Sequence, residues 1–312
     1  MKFEIPSNVQ VALLAILGGL LIASLVVVLM DRARPERDYS ELKLRVRTWW
    51  YIILVFCAAI AFNRIVSVCV FGVISFLAFK EYLSLIPTRR ADHRVLFWAY
   101  LAIPIQYYWV GIAWYGMFII FIPVYAFLFL AMRMVLIGET RGFLHAAGTL
   151  HWGLMTTVFS LSHMAYLQAL PEQGNPHGGG DALVLFLVLL TETNDISQYI
   201  SGKTLGRHKV IPKVSPKKTV EGLLGGIATT VLLSWMLAPL LTPLSTLESI
   251  VSGVIISLFG FVGDVTVSAV KRDIGVKDSG SMLPGHGGVL DRLDSLTYTA
   301  PLFLHFIRYL HY

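Results

Sequence analysis

Residues 11–30 read VALLAILGGLLIASLVVVLM, twenty residues without a charge. A helix of that length rises about 30 Å, the thickness of a bilayer's hydrocarbon core. Backbone polar groups inside a bilayer must be satisfied within the segment, so such a run predicts a transmembrane helix. Asp31-Arg-Ala-Arg follows it, a stop signal rather than a small-x-small cleavage site, so a cleaved signal peptide is not expected.

Further apolar runs extend outward from this one: Thr48–Phe62, Ile65–Leu85, Val95–Val110, Gly111–Met132, Gly148–Leu170, Ala182–Ile200, Val220–Leu241, Ile250–Val270 and Leu293–Leu310. The expected fold is all-α, a polytopic integral membrane protein with nine to ten transmembrane helices. Residues 1–147 would form an N-terminal transmembrane region and residues 148–312 a C-terminal catalytic one. Composition agrees: 56% of the 312 residues are hydrophobic, 14% are charged and mean hydropathy is +0.69. Soluble domains carry about 25% charged residues, so a soluble enzyme, a disordered chain and a disulfide scaffold are all disfavoured. Cys57 and Cys69 lie in apolar runs without metal-ligand spacing and are expected as buried thiols.

Charge sets the orientation. With the N-terminus outside and ten alternating spans, 22 of the 25 Lys and Arg fall in segments 31–47, 80–94, 133–147, 201–219 and 271–292. The positive-inside rule makes that side cytoplasmic. The opposite loops 171–181 and 242–249 contain no Lys or Arg. The net charge of +6 therefore reads as topology and attraction to anionic membrane lipids, and nucleic acid is set aside as a partner.

Ionisable groups inside spans are costly and mark function by default. Glu192 and Asp195 sit in the last turns of the seventh span, and Asp264 sits in the ninth, about 9 Å from its cytoplasmic end. The loop after the seventh span carries six Lys or Arg and no acid between 201 and 219. It reads either as a topogenic loop or as a phosphate site, because Ser215, Lys217 and Lys218 are phosphate-binding residue types. After the ninth span come Lys271-Arg272, Lys277-Asp278, Pro284-Gly-His-Gly-Gly288, Asp291-Arg292 and Asp294. Asp291 and Asp294 are i, i+3 neighbours that can share a helical face, with Asp264 on the other side of the loop. Carboxylates beside Lys and Arg suit Mg²⁺ bound partly through substrate phosphates. Glycines allow close approach to an anion. His286 reads as a phosphate contact, a general base or, without a second His nearby, less readily as a metal ligand.

This last loop resembles the signature of the phosphatidate cytidylyltransferases, the CDP-diacylglycerol synthases. The family pattern is S-x-[apolar]-K-R-x4-K-D-x-[small]-x2-[apolar]-[P/G]-x-H-G-G-[apolar]-x-D-R-[apolar]-D. Ser268, Lys271, Arg272, Lys277, Asp278, Gly280, Leu283, Pro284, His286, Gly287, Gly288, Asp291, Arg292 and Asp294 match it over 27 residues. Asn194-Asp195, Tyr199, Gly202-Lys203, Ser215-Pro-Lys-Lys-Thr219 and Glu221-Gly222 are similar to the same family. Ile196, Ser197 and Gln198 stand where many members carry small residues, which marks a divergent bacterial branch.

The resemblance implies an integral enzyme of the bacterial inner membrane, with a cytoplasm-facing site and a homodimeric state. It would join CTP to phosphatidic acid to give CDP-diacylglycerol and pyrophosphate. Mg²⁺ would be held by Asp264 and Asp291, and a second, monovalent cation is left open. Lys271, Arg272 and His286 join those two as catalytic candidates. Asn194, Asp195, Lys203, Ser215, Lys217, Lys218, Lys277, Asp278, Gly287, Gly288, Arg292 and Asp294 are the substrate-binding candidates. A phosphate monoester has a second pKa of about 6, so the lipid nucleophile arrives deprotonated and needs no general base. What the site must do is hold two anions in line. Two other readings compete: a related CTP-using lipid enzyme with another acceptor, and a secondary transporter with span-embedded acids. A transporter predicts repeated halves with broken helices at the midplane, whereas these charges crowd one face of the C-terminal half. The D-G-x2-A-R…D-x3-D pattern of the CDP-alcohol phosphotransferases is absent.

Overall fold

The computed structural model describes residues 6–312 apart from Pro35, Thr88, Arg90 and Ala91. Among the described residues the regular structure is helical, with two isolated β-bridges and no strand. The N-terminal helices are α1 (Ser7–Ala33), α2 (Ser40–Ala61), α3 (Arg64–Leu85), α4 (His93–Gly111), α5 (Tyr115–Ile120) and α6 (Phe127–Val135). Next come α7 (Phe143–Leu154), α8 (Ser160–Leu167), α9 (Gly179–Thr204), α10 (Val220–Leu241), α11 (Thr246–Asp273), the four-residue α12 (Leu290–Leu293) and α13 (Leu296–His311). A π-helical turn, Phe121–Ala126, joins α5 to α6, and another, Met155–Phe159, joins α7 to α8.

Among the described residues, six helices are long and apolar enough to cross a membrane: Ser7–Ala33, Arg64–Leu85, Tyr115–Val135, Gly179–Thr204, Val220–Leu241 and Thr246–Asp273. The expected nine to ten rested on four further apolar runs, and each falls on a helical stretch that is less clear-cut. α2 opens with the charged turns around Glu41, Lys43, Arg45 and Arg47, α4 carries His93, Arg94 and Gln106 among its 19 residues, and the α7–α8 stretch carries His145, His151 and His163. α13 has 16 residues, and it is preceded by Asp294 and Ser295, which keep helical dihedrals between α12 and α13. The fifth expected span also starts late: Ala113 takes a left-handed φ of 55°, and helix resumes at Tyr115. The thiols differ from expectation too, since Cys57 is partly exposed and Cys69 exposed on the helix surface.

α9 is the centre of the C-terminal half. Its Leu183–Leu187 segment and Leu190 are fully buried, and α8, α10, α11 and α13 pack around it. In lipid, apolar area alone does not draw helices together, so close packing of small residues and interhelical hydrogen bonds must do so. Both are present. Asn194 is fully buried, and its Oδ1 accepts from Ser257 Oγ at 2.7 Å and from Thr230 Oγ1 at 3.3 Å, tying α9 to α11 and α10. Gly180 lets the start of α9 lie on the backbone at the end of α8, where a Cβ would strike the Leu167 carbonyl and Gln168 Cα.

That contact is backbone against backbone and cannot be relieved by a side-chain rotation. Gly180→Ala is therefore expected to cost about 1–3 kcal/mol, the usual range for overpacking. It should appear as a lowered unfolding temperature of the detergent-solubilised protein.

Candidate functional site

At one end of the bundle the loops 205–219 and 274–289 meet the mouths of α9, α10 and α11. The first loop is organised by Glu221, whose carboxylate accepts from the backbone N–H of Arg207 at 2.9 Å and from His208 Nδ1 at 2.6 Å. An antiparallel bridge between Lys209 and Thr219 closes it, and Thr219 caps α10 by accepting from Gly222 N–H at 3.1 Å. This geometry turns Lys218 inward and leaves Lys217 exposed. Lys218 Nζ lies 2.5 Å from Asp264 Oδ2 on α11, donates to Gln198 Oε1 at 3.2 Å and sits over the Phe261 ring. Ser268 Oγ, one turn along α11, donates to the other Asp264 oxygen at 3.2 Å.

Asp195 faces the same space from α9. Its Oδ2 accepts from Ser295 Oγ at 2.8 Å, while its Oδ1 is buried and has no hydrogen-bond partner. Asp294 is close enough to Asp264 and Asp195 for their charges to repel, and Lys271 offsets that repulsion. Arg292 acts on Asp195 and Glu192 in the same way, and its Nε is buried without a partner. Asp195, Asp264 and Asp294 thus interleave with Lys218, Lys271 and Arg292 in one cluster.

Asp291 stands apart from that trio. Lys271 Nζ lies 2.6 Å from its Oδ1, and the backbone N–H groups of Ser279 and Gly288 donate to its Oδ2 at 2.8 and 3.0 Å. Burial opposes the charge, but these three donors outweigh it and hold the carboxyl below its ordinary pKa. The glycines expected to admit an anion do so for the protein's own carboxylates. Gly287 has a φ of +83°, and a Cβ there would lie 2.6 Å from Asp291 Oδ2. At Gly288 a Cβ would strike Glu81 and Ser279.

Glu81, on α3, is the buried acid missing from the sequence-based candidates. It accepts from Ser279 Oγ, from Val289 N–H at 2.8 Å and from Leu290 N–H at 3.1 Å. It was detectable as an acid near the end of the apolar run Ile65–Leu85, the same signal that marked Asp195 and Asp264. α2 also touches this loop: Thr48 Oγ1 donates to the Pro284 carbonyl at 2.7 Å, and Trp49 meets the His286 ring edge-on at 5.8 Å. His286 Nδ1 is buried without a partner. Burial, with Arg292 and Arg45 nearby, lowers the imidazole pKa.

The remaining candidates lie further out. Lys277, Asp278 and Lys203 are exposed, Lys203 over the Tyr199 ring. Arg272 donates to the Val214 and Val276 carbonyls and so ties the two loops together. Ser215 takes part in the turn that presents Lys218, whose N–H donates to the Ser215 carbonyl at 3.2 Å. Asn194 is committed to helix packing.

A sequence model described as the cytidylyltransferase family matches residues 43–310. The uncharacterized protein YnbB of Escherichia coli strain K12 is 48% identical over 278 residues, covering 89% of this chain and 91% of that protein. The phosphatidate cytidylyltransferase of Staphylococcus saprophyticus is 41% identical over 120 residues, 38% of this chain and 46% of that enzyme. The Staphylococcus aureus (strain COL) enzyme of the same name is 41% identical over 121 residues, with the same coverage. The matched stretch thus spans about half the length of these two enzymes.

Lys271 and Asp291 are both buried, so removing one partner strands the other. Asp291→Asn should destabilise the protein by about 3–5 kcal/mol, and adding Lys271→Met should recover most of that loss. Thermal unfolding of the two variants, with no substrate present, measures it. The depressed Asp291 pKa adds stability above the ordinary carboxylate pKa, and that stability is lost as pH falls through the lowered value.

Proposed function

This chain belongs to the cytidylyltransferase family, and from that premise we propose that it joins CTP to phosphatidic acid, releasing pyrophosphate and leaving CDP-diacylglycerol in the membrane. The family and the phosphatidate cytidylyltransferase relatives make it a nucleotidyltransferase. The observation that carries the choice of substrates is the interleaved cluster of Asp195, Asp264 and Asp294 with Lys218, Lys271 and Arg292 at the mouth of α9–α11. Cations there can receive a triphosphate, and carboxylates can receive its counter-cation. The position suits a water-soluble nucleotide and a lipid whose tails stay in the bilayer.

The donor set fits Mg²⁺, a hard cation that takes carboxylate, phosphate and water oxygens. Asp195 Oδ1 is a buried oxygen without a partner, the feature an incoming cation would satisfy. Among the described residues no three side chains are placed to chelate an ion by themselves, so substrate oxygens and water would complete the shell. Asp264 would hold the ion, and Asp291 would join it when Lys271 turns to a phosphate. When bound, Mg²⁺ would neutralise charge on the triphosphate and the leaving pyrophosphate.

The protein's own groups do the positioning. Lys218 and Lys271 are each held by an aspartate and can exchange that carboxylate for a phosphate oxygen, which frees the carboxylate for a cation that arrives with the phosphates. Arg292, with its unpartnered Nε, is a further phosphate donor. His286, low in pKa, is a neutral contact for a phosphate or the leaving group. The lipid phosphate is already a nucleophile near neutral pH, so holding it in line is the main catalytic task. In the same proposal the chain crosses the bacterial inner membrane nine to ten times as a homodimer. The N-terminus lies outside and the site faces the cytoplasm, where 22 of 25 Lys and Arg would then fall.

Purified protein should convert CTP and phosphatidic acid to CDP-diacylglycerol, with turnover stopped by a divalent chelator and restored by Mg²⁺. Asp264→Asn should lower kcat about 100-fold, as loss of a charge-stabilising group does, with the protein still folded. A panel of acceptor lipids in the same assay distinguishes phosphatidic acid from another acceptor. Full activity of Asp264→Asn with Mg²⁺ would remove the carboxylate from its role.

A further inference from the structure

We propose that Glu81 is a positioning residue for nucleotidyl transfer, a carboxylate from the N-terminal half that clamps the loop 279–290 and thereby places Asp291 and Asp294. The proposal rests on the cytidylyltransferase reading for its catalytic consequence and on geometry alone for the clamp. Helical dihedrals run from Val289 through α12, Asp294 and Ser295 into α13, so α12 is the beginning of the last helical segment. The first N–H groups of any helix have no partner within it. Here Val289, the residue before α12, and Leu290, its first residue, donate those N–H groups to Glu81 Oε2 and Oε1. A negative charge at that end is also favoured by the helix dipole.

The clamp is tight. Ser279 Oγ shares Glu81 Oε1, and Gly288 lies so close that a Cβ would collide with the carboxylate. A Cβ on Gly280 would lie 2.9 Å from Glu81 Oε2 and 3.0 Å from Cδ, with Glu81 atoms as its three nearest contacts. Glu81 is itself 7% exposed and donates to nothing, so its whole accepting capacity is directed at this loop. Asp291 follows directly after the clamped Leu290, and Asp294 lies one turn beyond it, where it meets Asp264 and Asp195. If the clamp is released, both aspartates lose their register against α9 and α11, although neither touches Glu81.

The test uses the full chain in detergent or nanodiscs. Hydrogen exchange read without substrate should show protected amides at Val289 and Leu290 in the unaltered protein. In Glu81→Gln, whose amide cannot accept on both sides, exchange over 288–291 should rise at least about tenfold, while α9, α10 and α11 stay as protected as before. In the CTP and phosphatidic acid assay, the same variant should lose about 100-fold in kcat, the scale of a small misplacement, with KM for CTP nearly unchanged. A merely destabilising change would lower the amount of folded enzyme without moving the exchange of one loop selectively.

A mutant cycle adds an independent arm. Gly280→Ala should slow turnover in the unaltered background and add little once Glu81→Ala has removed the group it strikes. Unprotected Val289 and Leu290 amides in the unaltered protein, or unchanged loop exchange in Glu81→Gln, would overturn the clamp. Additive effects of Gly280→Ala and Glu81→Ala would do the same. If the loop loosens but kcat holds, the catalytic role is overturned. If the unaltered protein makes no CDP-lipid at all, the reaction falls while the exchange result still decides the clamp.

Discussion

Lys218 and Asp264 meet at 2.5 Å where the loop before α10 reaches α11, and the site depends on the constraint that pair answers. A charge near the bilayer interior is tolerated only when it is matched. This chain places acids on α9 and α11 and at the α12–α13 junction, so it must bring bases to the same depth. Two lysines do so, each against one aspartate, and Lys271 with Asp291 at 2.6 Å is the second pair. Two of the carboxylates are matched in this way, and Arg292 lies near two further acids, Glu192 and Asp195. The same pairs hold together the groups that suit a phosphate and those that suit a cation.

A second consequence follows from the solvent. Lipid offers helices no hydrophobic reward for packing, so shape and hydrogen bonds have to supply it. Asn194 joins three helices through Ser257 and Thr230, and Gly180 brings the backbones of α8 and α9 together. The signature loop obeys the same economy at its own scale. Its N–H groups at 279, 288, 289 and 290 go to Asp291 and Glu81. The glycines at 287 and 288 are the positions where those carboxylates come closest.

Much of this was legible beforehand, for definite reasons. Long uncharged runs can be satisfied in a bilayer only as helices, so the all-α membrane fold followed from segments such as 11–30. Acids within apolar runs are rare, so Asp195 and Asp264 drew attention without any structure. The spacing of Lys271, His286, Gly287, Gly288, Asp291 and Asp294 pointed to a family that the comparison then matched over residues 43–310. The number of spans was less legible, because hydropathy cannot tell a mixed helix such as α2 from a spanning one.

The amino-acid sequence by itself determined the class of solvent, the helical character and the set of charged groups available for chemistry, because each is a property of local composition and spacing. Only the tertiary structure decided which charges meet. Asp291 looked like the partner of Asp264, yet it is held by Lys271 and two loop N–H groups, while Asp195 and Asp294 face Asp264 instead. Gly287 and Gly288 looked open to a ligand, yet they receive Asp291 and Glu81. Glu81 comes from a helix far away in the chain. Partners in a fold are chosen by the three-dimensional path of the backbone, and that path depends on how all the helices pack.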